Sequence, residues 1–559
     1  MRIIIAFFLL AFLAGCAPTA ATRTVDGERE SAPSLPKVLT IGIRAEPALM
    51  NSSYGAPGGG ANGVSAVLDI LNNYLMVQVE SYAWEPQLAV EGISSDRGTW
   101  RLNADGTMDT IWRIHPNIRW HDGQPFTADD LVFSFEVYKD PALPTTIGIP
   151  MSLMESAVAR DPQTLAIHWS QPFVQADRAP GLIPMPRHLL EQPYRTDKAN
   201  FVNSPHLQSE FVGLGPYRLV RWEPGSYLEL GRHDGYFLGR PPLDTVIIRI
   251  LTDTQSMATH LLAGGIDVAM AMDIDTAVGI RDRWQETGNI FIGHPSEKMR
   301  VLELQFRPEF ARPTNGLTNL QVRQALYHAI DRATLADVAT SGLSPVADSW
   351  YQPTHELRPQ LEAAIPQFPY DPRRAQALLA QAGWARGPDG ILLYEPTGER
   401  FEVQVAGENN ALTDRESNII ADHWKAVAVQ AQAWPMSGAL RADREVRAKL
   451  SGVGWSSVDG DIYYIDYLHT KNVAVPGNGW FGNNRLGYSN PRVDALLDRL
   501  SVTISQAEQI PLHRELLREQ MGGIATMPLY WKIDPILVVK DLTGVTGRRA
   551  SNIFEWNKR

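Results

Sequence analysis

Cysteine is nearly absent from this chain: Cys16 is the only one in 559 residues. An intramolecular disulfide is therefore impossible, and a thiolate metal cluster is excluded for the same reason. Packing alone must hold the fold, in a chain long enough to divide into more than one core. Long uncharged apolar runs are missing after the first residues. No later segment reaches the roughly 20 residues of a membrane-spanning helix, so the body is expected to be soluble. Net positive charge is missing as well. A formal charge of −11 argues against a non-specific nucleic-acid partner, which asks for concentrated basic residues. Neither an HExxH zinc motif nor a G-x-S-x-G nucleophile elbow occurs. The cluster Gly58-Gly59-Gly60 lacks the Gly-Lys-Ser/Thr that a phosphate loop needs, and it reads as a turn.

What is present begins at the extreme N-terminus. Arg2 precedes an apolar run from Ile3 to Leu13, followed by Leu13-Ala14-Gly15-Cys16. The run suits a signal peptide and is too short to remain as a spanning helix. Leu-Ala-Gly-Cys is similar to a lipobox. That resemblance implies a signal peptide over 1–15, cleavage before Cys16 and lipidation of its sulfur, which would tether a soluble body to a membrane without spanning it. Residues 17–36 are small, polar and charged with three prolines, and complete a flexible tether over 16–36.

Ordered structure is expected from Lys37, where Val38-Leu39-Thr40-Ile41-Gly42-Ile43 reads as a strand. Val64, Val67, Leu68 and Leu71 suggest a helix over Asn62–Val79. Asp105-Gly106 predicts a hairpin turn leading into Asp109–Ile114, and Asp122-Gly123 predicts a second turn. Thr127-Ala128-Asp129-Asp130 then offers a cap and an acidic first turn for a helix carrying Leu131, Val132 and Phe135. Val322, Ala325, Leu326, Ala329 and Ile330 recur at helical spacing in Gln321–Thr340. Asp371-Pro372 and Asn490-Pro491 each predict a helix start, and Gly383 an end. Strands and helices alternate without a fixed repeat, which indicates an α/β or α+β protein of several domains.

The block Trp112-Arg113-Ile114-His115-Pro116 through Trp120-His121-Asp122-Gly123-Gln124-Pro125-Phe126-Thr127-Ala128-Asp129-Asp130 resembles the large solute-binding proteins of the peptide/nickel ABC-transporter class, extracellular solute-binding family 5. Further similar blocks follow in order. They are Gly213-Leu214-Gly215-Pro216-Tyr217, Gly239-Arg240-Pro241-Pro242-Leu243-Asp244, Gly265-Ile266-Asp267-Val268, Val322-Arg323-Gln324-Ala325-Leu326, Asn490-Pro491-Arg492-Val493-Asp494 and Met527-Pro528-Leu529-Tyr530. The resemblance implies a two-lobed α/β, periplasmic-binding-protein-like fold with discontinuous lobes and an inserted domain. By analogy the first lobe takes 37–80, 210–300 and 530–559, the inserted domain 81–209, and the second lobe 301–529. It further implies a monomeric receptor that closes around a peptide-like or other small organic solute and hands it to ABC-transporter permease subunits. The alternative is a sensing or scaffolding lipoprotein not coupled to import. No enzyme activity, cofactor, resident metal or nucleic-acid partner is expected. Nickel or haem remain conceivable as cargo.

Gly454-Trp455-Ser456-Ser457-Val458-Asp459 is similar to the second-lobe segment that contacts ligand in many family members. Peptide binders in the family place there an aspartate that pairs with the ligand's terminal ammonium. This chain has Val458 at that place and Asp459 one residue later. Trp455, with a broad apolar face and one N–H donor, and Asp459 are the leading ligand-binding candidates. Tyr54 and Glu46, behind the first strand, and Trp480, in a Gly-Asn-Gly-Trp-Phe loop, complete the set. His115, Arg119, His121 and Asp122 are expected to be structural around their turn. Asp273 with Asp275, and Asp459 with Asp461, are expected to be solvated or hydrogen-bonding groups. Arg323 and Arg332, on a predicted helix, are expected in structural pairing.

Overall fold

A computed structural model describes residues 35–50, 61–79, 84–143, 149–178, 181–460, 466–547 and 550–559. Strand Val38–Ile43 forms where the sequence predicts it and lies inside a seven-stranded sheet. It runs parallel to Thr245–Ile250 on one side and to Val268–Met270 on the other. Tyr227–Arg232 and Tyr217–Glu223 extend the first flank antiparallel, and Ile536–Val538 and Ile290–Ile292 extend the second. A strand flanked in this way needs apolar side chains, and Leu39, Ile41 and Ile43 are fully buried with Val67, Ile70 and Leu71 in one core. Each such side chain contributes about 1.5–3 kcal/mol through burial.

The helix carrying those partners is shorter than the apolar spacing suggests. It runs Val64–Leu71, and Met76–Gln78 is instead a strand paired with Trp84–Pro86. Buried Asn72 ends it: its backbone is extended, and its side-chain amide donates to the carbonyls of Met50 and Leu68, both at 3.0 Å. The run from Gln321 to Thr340 likewise forms two helices, Leu320–His328 and Arg332–Thr340. Asp331 breaks it by accepting from the Thr334 amide at 3.0 Å as the cap of the second helix.

A four-stranded antiparallel sheet, in the order Trp100–Leu102, Met108–Arg113, Thr164–Trp169, Met154–Asp161, packs with helix Ala128–Lys139 around its own core. Thr127 and Asp130 form the capping box of that helix: the Thr127 amide donates to Asp130 at 2.9 Å. The Arg187 amide donates to the other oxygen at 3.1 Å, while burial raises the carboxyl's pKa. His121 stitches this region to the seven-stranded sheet. The Gly213 amide donates to Nδ1 at 3.1 Å, and Nε2 donates to the Gly215 carbonyl at 3.0 Å. Burial, with His233 alongside, pushes the His121 pKa down to about 3, so the ring is neutral and structural.

The remaining large sheet has five strands in the order Gln430–Met436, Glu402–Glu408, Val453–Asp459, Pro295–Leu304, Thr526–Ile533. Apolar cores cover both of its faces. Its connection to the seven-stranded sheet defines the architecture. Ile290–Ile292 passes into Pro295–Leu304 through Gly293-His294, and Thr526–Ile533 passes into Ile536–Val538 through Asp534-Pro535. Pro295 and Ile533 are paired, so the two crossings lie side by side. The result is a two-lobed α/β fold of the periplasmic-binding-protein type. Among the described residues no helix is long and apolar enough to cross a membrane.

Candidate functional site

Alternation along Val453–Asp459 puts Trp455, Ser457 and Asp459 on one face of the five-stranded sheet. The antiparallel register sets them opposite Leu302, Arg300 and Lys298 of the neighbouring strand. Helix Ala411–Ala426 covers the Trp455 end of this face. The Trp455 indole N–H donates to Ser417 Oγ at 2.9 Å, and the Arg300 guanidinium lies 4.7 Å from its ring centre. Gly407 makes the fit possible, because a Cβ there would fall 2.3 Å from Thr413 Cγ2 and 2.8 Å from Trp455 Cδ1.

Arg300 is committed to the helix. Its Nε donates to Glu416 Oε1 at 2.8 Å and its Nη2 to Oε2 at 2.5 Å, while Nη2 also reaches Thr413 Oγ1 at 3.1 Å. The Tyr530 hydroxyl donates to the same Glu416 carboxylate, which is fully buried. Burial opposes charge on Arg300, but Glu416 more than offsets it and holds the guanidinium's pKa above the usual range. Burial and the adjacent carboxylate push the Tyr530 hydroxyl well up, so it stays a donor.

Beyond the start of this helix the sheet face is partly exposed, and Ser457 receives a 3.5 Å hydrogen bond from Arg300 Nη1. Asn410 caps the helix by accepting from the Thr413 amide at 2.9 Å. Past it Ser457 is exposed, although it belongs to a central strand. Lys298 Nζ and Asp459 Oδ1 form an ion pair at 2.8 Å, with side-chain exposures of 43% and 29%. The other lobe touches the covering helix Ala411–Ala426. Asp275, in the first turn of helix Ile274–Arg283, accepts from Arg415 Nη2 at 2.9 Å. Asp273 caps that helix by accepting from the Thr276 amide at 2.9 Å. A strip holding an indole face, a hydroxyl and a half-exposed ion pair thus lies beside the junction of the lobes. Lys298 sits three residues beyond Pro295, next to the paired crossings.

The structure puts Trp455 and Asp459 on one face of a strand, four residues apart, and gives Glu46 and Trp480 different partners. Glu46 accepts from the Trp222 indole at 2.5 Å and from the Gly225 amide at 3.1 Å, closing the turn between Tyr217–Glu223 and Tyr227–Arg232. Trp480 lies below Lys449 at 5.2 Å and Arg307 at 6.0 Å, in an exposed loop of the second lobe. Tyr54, Cys16, Asp461 and Gly58-Gly59-Gly60 lie outside the described residues. Arg323 donates to the carbonyls of Leu317, Thr318 and Gly523, and Arg332 to the Tyr327 hydroxyl and the Phe368 carbonyl. Both act structurally. Among the described residues no group of three or more His, Cys, Asp or Glu side chains could hold a metal ion. Sequence reasoning missed Lys298, Arg300, Glu416 and Arg415. Charges alternating within the apolar strand Pro295–Leu304 were the one available signal for the first two.

A family model described as bacterial extracellular solute-binding proteins, family 5, matches residues 85–474. The oligopeptide-binding protein AppA of Bacillus subtilis is 24% identical, over 100% of this chain and 98% of its own length. Heme-binding protein A of Haemophilus influenzae is also 24% identical, over 75% of each chain. Among solved structures, NikZ of Campylobacter jejuni in complex with Ni(L-His) superposes with a TM-score of 0.72 at 22% identity, covering 94% of this chain and 100% of that one. The substrate-binding protein CtaP of Listeria monocytogenes gives 0.76 at 18% identity, covering 94% and 99%. At these identities the structural likenesses speak for the fold.

Proposed function

Because this chain belongs to the bacterial extracellular solute-binding proteins, family 5, whose members bind solutes without catalysing reactions, we propose that it captures a small organic solute in the strip between its lobes and delivers it to an ABC importer. One observation carries this reading: the partly exposed polar face of a central strand, with Trp455, Ser457, Asp459 and Lys298, is flanked by helix Ala411–Ala426, whose Arg415 pairs with Asp275 of the other lobe. The two adjacent crossings, Gly293-His294 and Asp534-Pro535, are the hinges about which the lobes close. The moving bodies are a first lobe of 37–80, 210–292 and 536–559, with the 81–209 insertion, and a second lobe of 295–533; the strands Pro295–Leu304 and Thr526–Ile533 belong to the five-stranded sheet, which moves the bounds from 300 and 530 to the crossings. Cys16 carries the lipid that keeps this extracytoplasmic body at the membrane, beside the permease subunits that receive the solute.

Trp455 supplies an apolar platform, and Ser457 a neutral donor and acceptor. The Asp459 carboxylate is not free. Lys298 already sits on it at 2.8 Å, so a ligand ammonium must displace an internal one. Peptide-like solutes therefore compete with Lys298 for this carboxylate, whereas solutes without an amine leave the pair intact. Nickel complexes, haem and oligopeptides are the cargoes named for relatives, and each belongs on a test panel.

Native mass spectrometry of gently purified protein identifies any solute that travels with it, and small-angle scattering with that solute reads closure. The expected outcome is a raised unfolding temperature and a reduced radius of gyration, both weakened by Ser457→Trp, which fills the strip. A solute that binds equally well to the Ser457→Trp protein places capture elsewhere.

A further inference from the structure

We propose that the second-lobe surface built from residues 438–449 and the loop 475–483 docks onto an anionic phospholipid membrane. Phe481 is 67% exposed, projecting beside exposed Val475, with Leu440 exposed on the short helix Gly438–Ala442. Cations lie against this loop, and segment 438–449 carries Arg441, Arg444, Arg447 and Lys449 against Asp443 and Glu445. The Arg444 guanidinium stacks 3.4 Å from the Phe481 ring centre, and Lys449 and Arg307 lie over the adjacent Trp480.

Part of this charge has no internal counterpart. Arg441 pairs with Glu408, Lys449 with Glu445, and Arg485 stands 3.8 Å from Glu303. Arg307, Arg444 and Arg447 have no carboxylate within ion-pair distance among the described residues. Arg307 spends its donors on the carbonyls of Ala448, Ala474 and Arg485, which fixes the loop to the body without neutralising it. The Arg447 Nε is buried without a partner. Burial and the neighbouring Arg485, Arg441 and Arg444 charges lower the Arg447 pKa, so the guanidiniums repel one another here. Such crowding stands out in a chain with a formal charge of −11, and it is relieved by an anionic surface.

The pattern selects the kind of surface. Phe481, Val475 and Leu440 are separate apolar points between cations, which suits insertion among headgroups better than a close-packed protein interface. Aromatic rings favour the membrane–water boundary, and arginines beside them engage lipid phosphates. Each basic group near an anionic leaflet adds about 1 kcal/mol, so a few suffice for reversible docking. This surface is separate from the strip and needs no bound solute.

Flotation of the full chain carrying Cys16→Ser, which removes the lipid site, tests the idea. The probes are vesicles of equal parts phosphatidylglycerol and phosphatidylcholine, against phosphatidylcholine alone. Binding is expected to the mixed vesicles only and to fall as salt is raised. Arg444→Gln with Lys449→Gln should weaken it about fivefold per charge removed. Phe481→Ser should weaken it at unchanged charge, and unfolding midpoints of both variants should match the parent because the altered side chains are exposed. No association with the mixed vesicles, equal association with both, or variants indistinguishable from the parent would overturn the proposal. So would capture by detergent-solubilised permease subunits that both variants abolish while vesicles fail to bind, since the surface would then serve a protein.

Discussion

Two ion pairs share one face of one strand and do different work. Arg300–Glu416 and Lys298–Asp459 begin two residues apart on Pro295–Leu304, at 2.5 Å and 2.8 Å. The first lies under helix Ala411–Ala426 with Glu416 fully buried; the second lies past the end of that helix, half exposed. A buried pair cannot exchange partners with water, so it holds the helix to the sheet and shapes the wall behind Trp455. A half-exposed pair is cheap to rearrange, which suits the solute contact proposed for it. Where the helix ends decides which pair is structure and which is available.

The contrast is most severely tested by removing one buried charge. Glu416→Gln leaves Arg300 without its counter-ion and should cost about 3–5 kcal/mol in denaturant unfolding. A loss under about 1 kcal/mol would put the two pairs in the same class. Burial of a titratable ring gives the next largest effect. His121 and His513 are held down to about 3, each by burial first. Unfolded, each titrates near 6.5, so on acidification the unfolded chain takes up protons before the native one. This stability is complete above about pH 6.5 and drains away toward pH 3, at about 1.4 kcal/mol per unit for each group. Unfolding between pH 7 and 5 should show the loss, reduced in His121→Asn.

Gly407→Ala probes the wall itself. Its new methyl falls among Thr413 and Trp455 and should cost about 1–3 kcal/mol, with solute affinity reduced because the indole shifts. At the exposed pair, Lys298→Gln or Asp459→Asn should alter stability by less than about 1 kcal/mol while changing solute affinity measurably by calorimetry. Unaltered affinity in both would remove the pair from the site. The smallest energetic effect belongs to Arg415→Gln. Breaking its contact with Asp275 should cost under about 1 kcal/mol yet widen the lobes of the solute-free protein in small-angle scattering.

Local chemistry made much of the scaffold legible. Thr127, Asp371 and Asn490 cap helices at the places read from sequence, and Gly106 and Gly123 take the left-handed angles that their turns need. These signals work because donor, acceptor and turn lie within a few residues. One misreading had a non-local cause and the other a cap signal that was passed over. Buried Asn72 ended a helix early through a bond to Met50, 22 residues away. Asp331 split an apolar periodicity that continues across the break.

The candidate site divides along the same line. Trp455 and Asp459 were readable because strand alternation alone puts them on one face, and the family resemblance marked that strand. Glu46 and Trp480 were weaker candidates from the sequence, and the structure engages Glu46 with Trp222 and Gly225, and Trp480 with Arg307 and Lys449. The sequence by itself determined the capped helices and tight turns, which rest on short-range hydrogen bonding, and its ordered motifs indicated a two-lobed solute-binding protein through their family resemblance. Only the tertiary structure decided which charges are free. Arg300 meets Glu416 across 116 positions, Lys298 meets Asp459 across 161 and Arg415 meets Asp275 across 140, and partner choice over such distances follows from sheet register and helix placement.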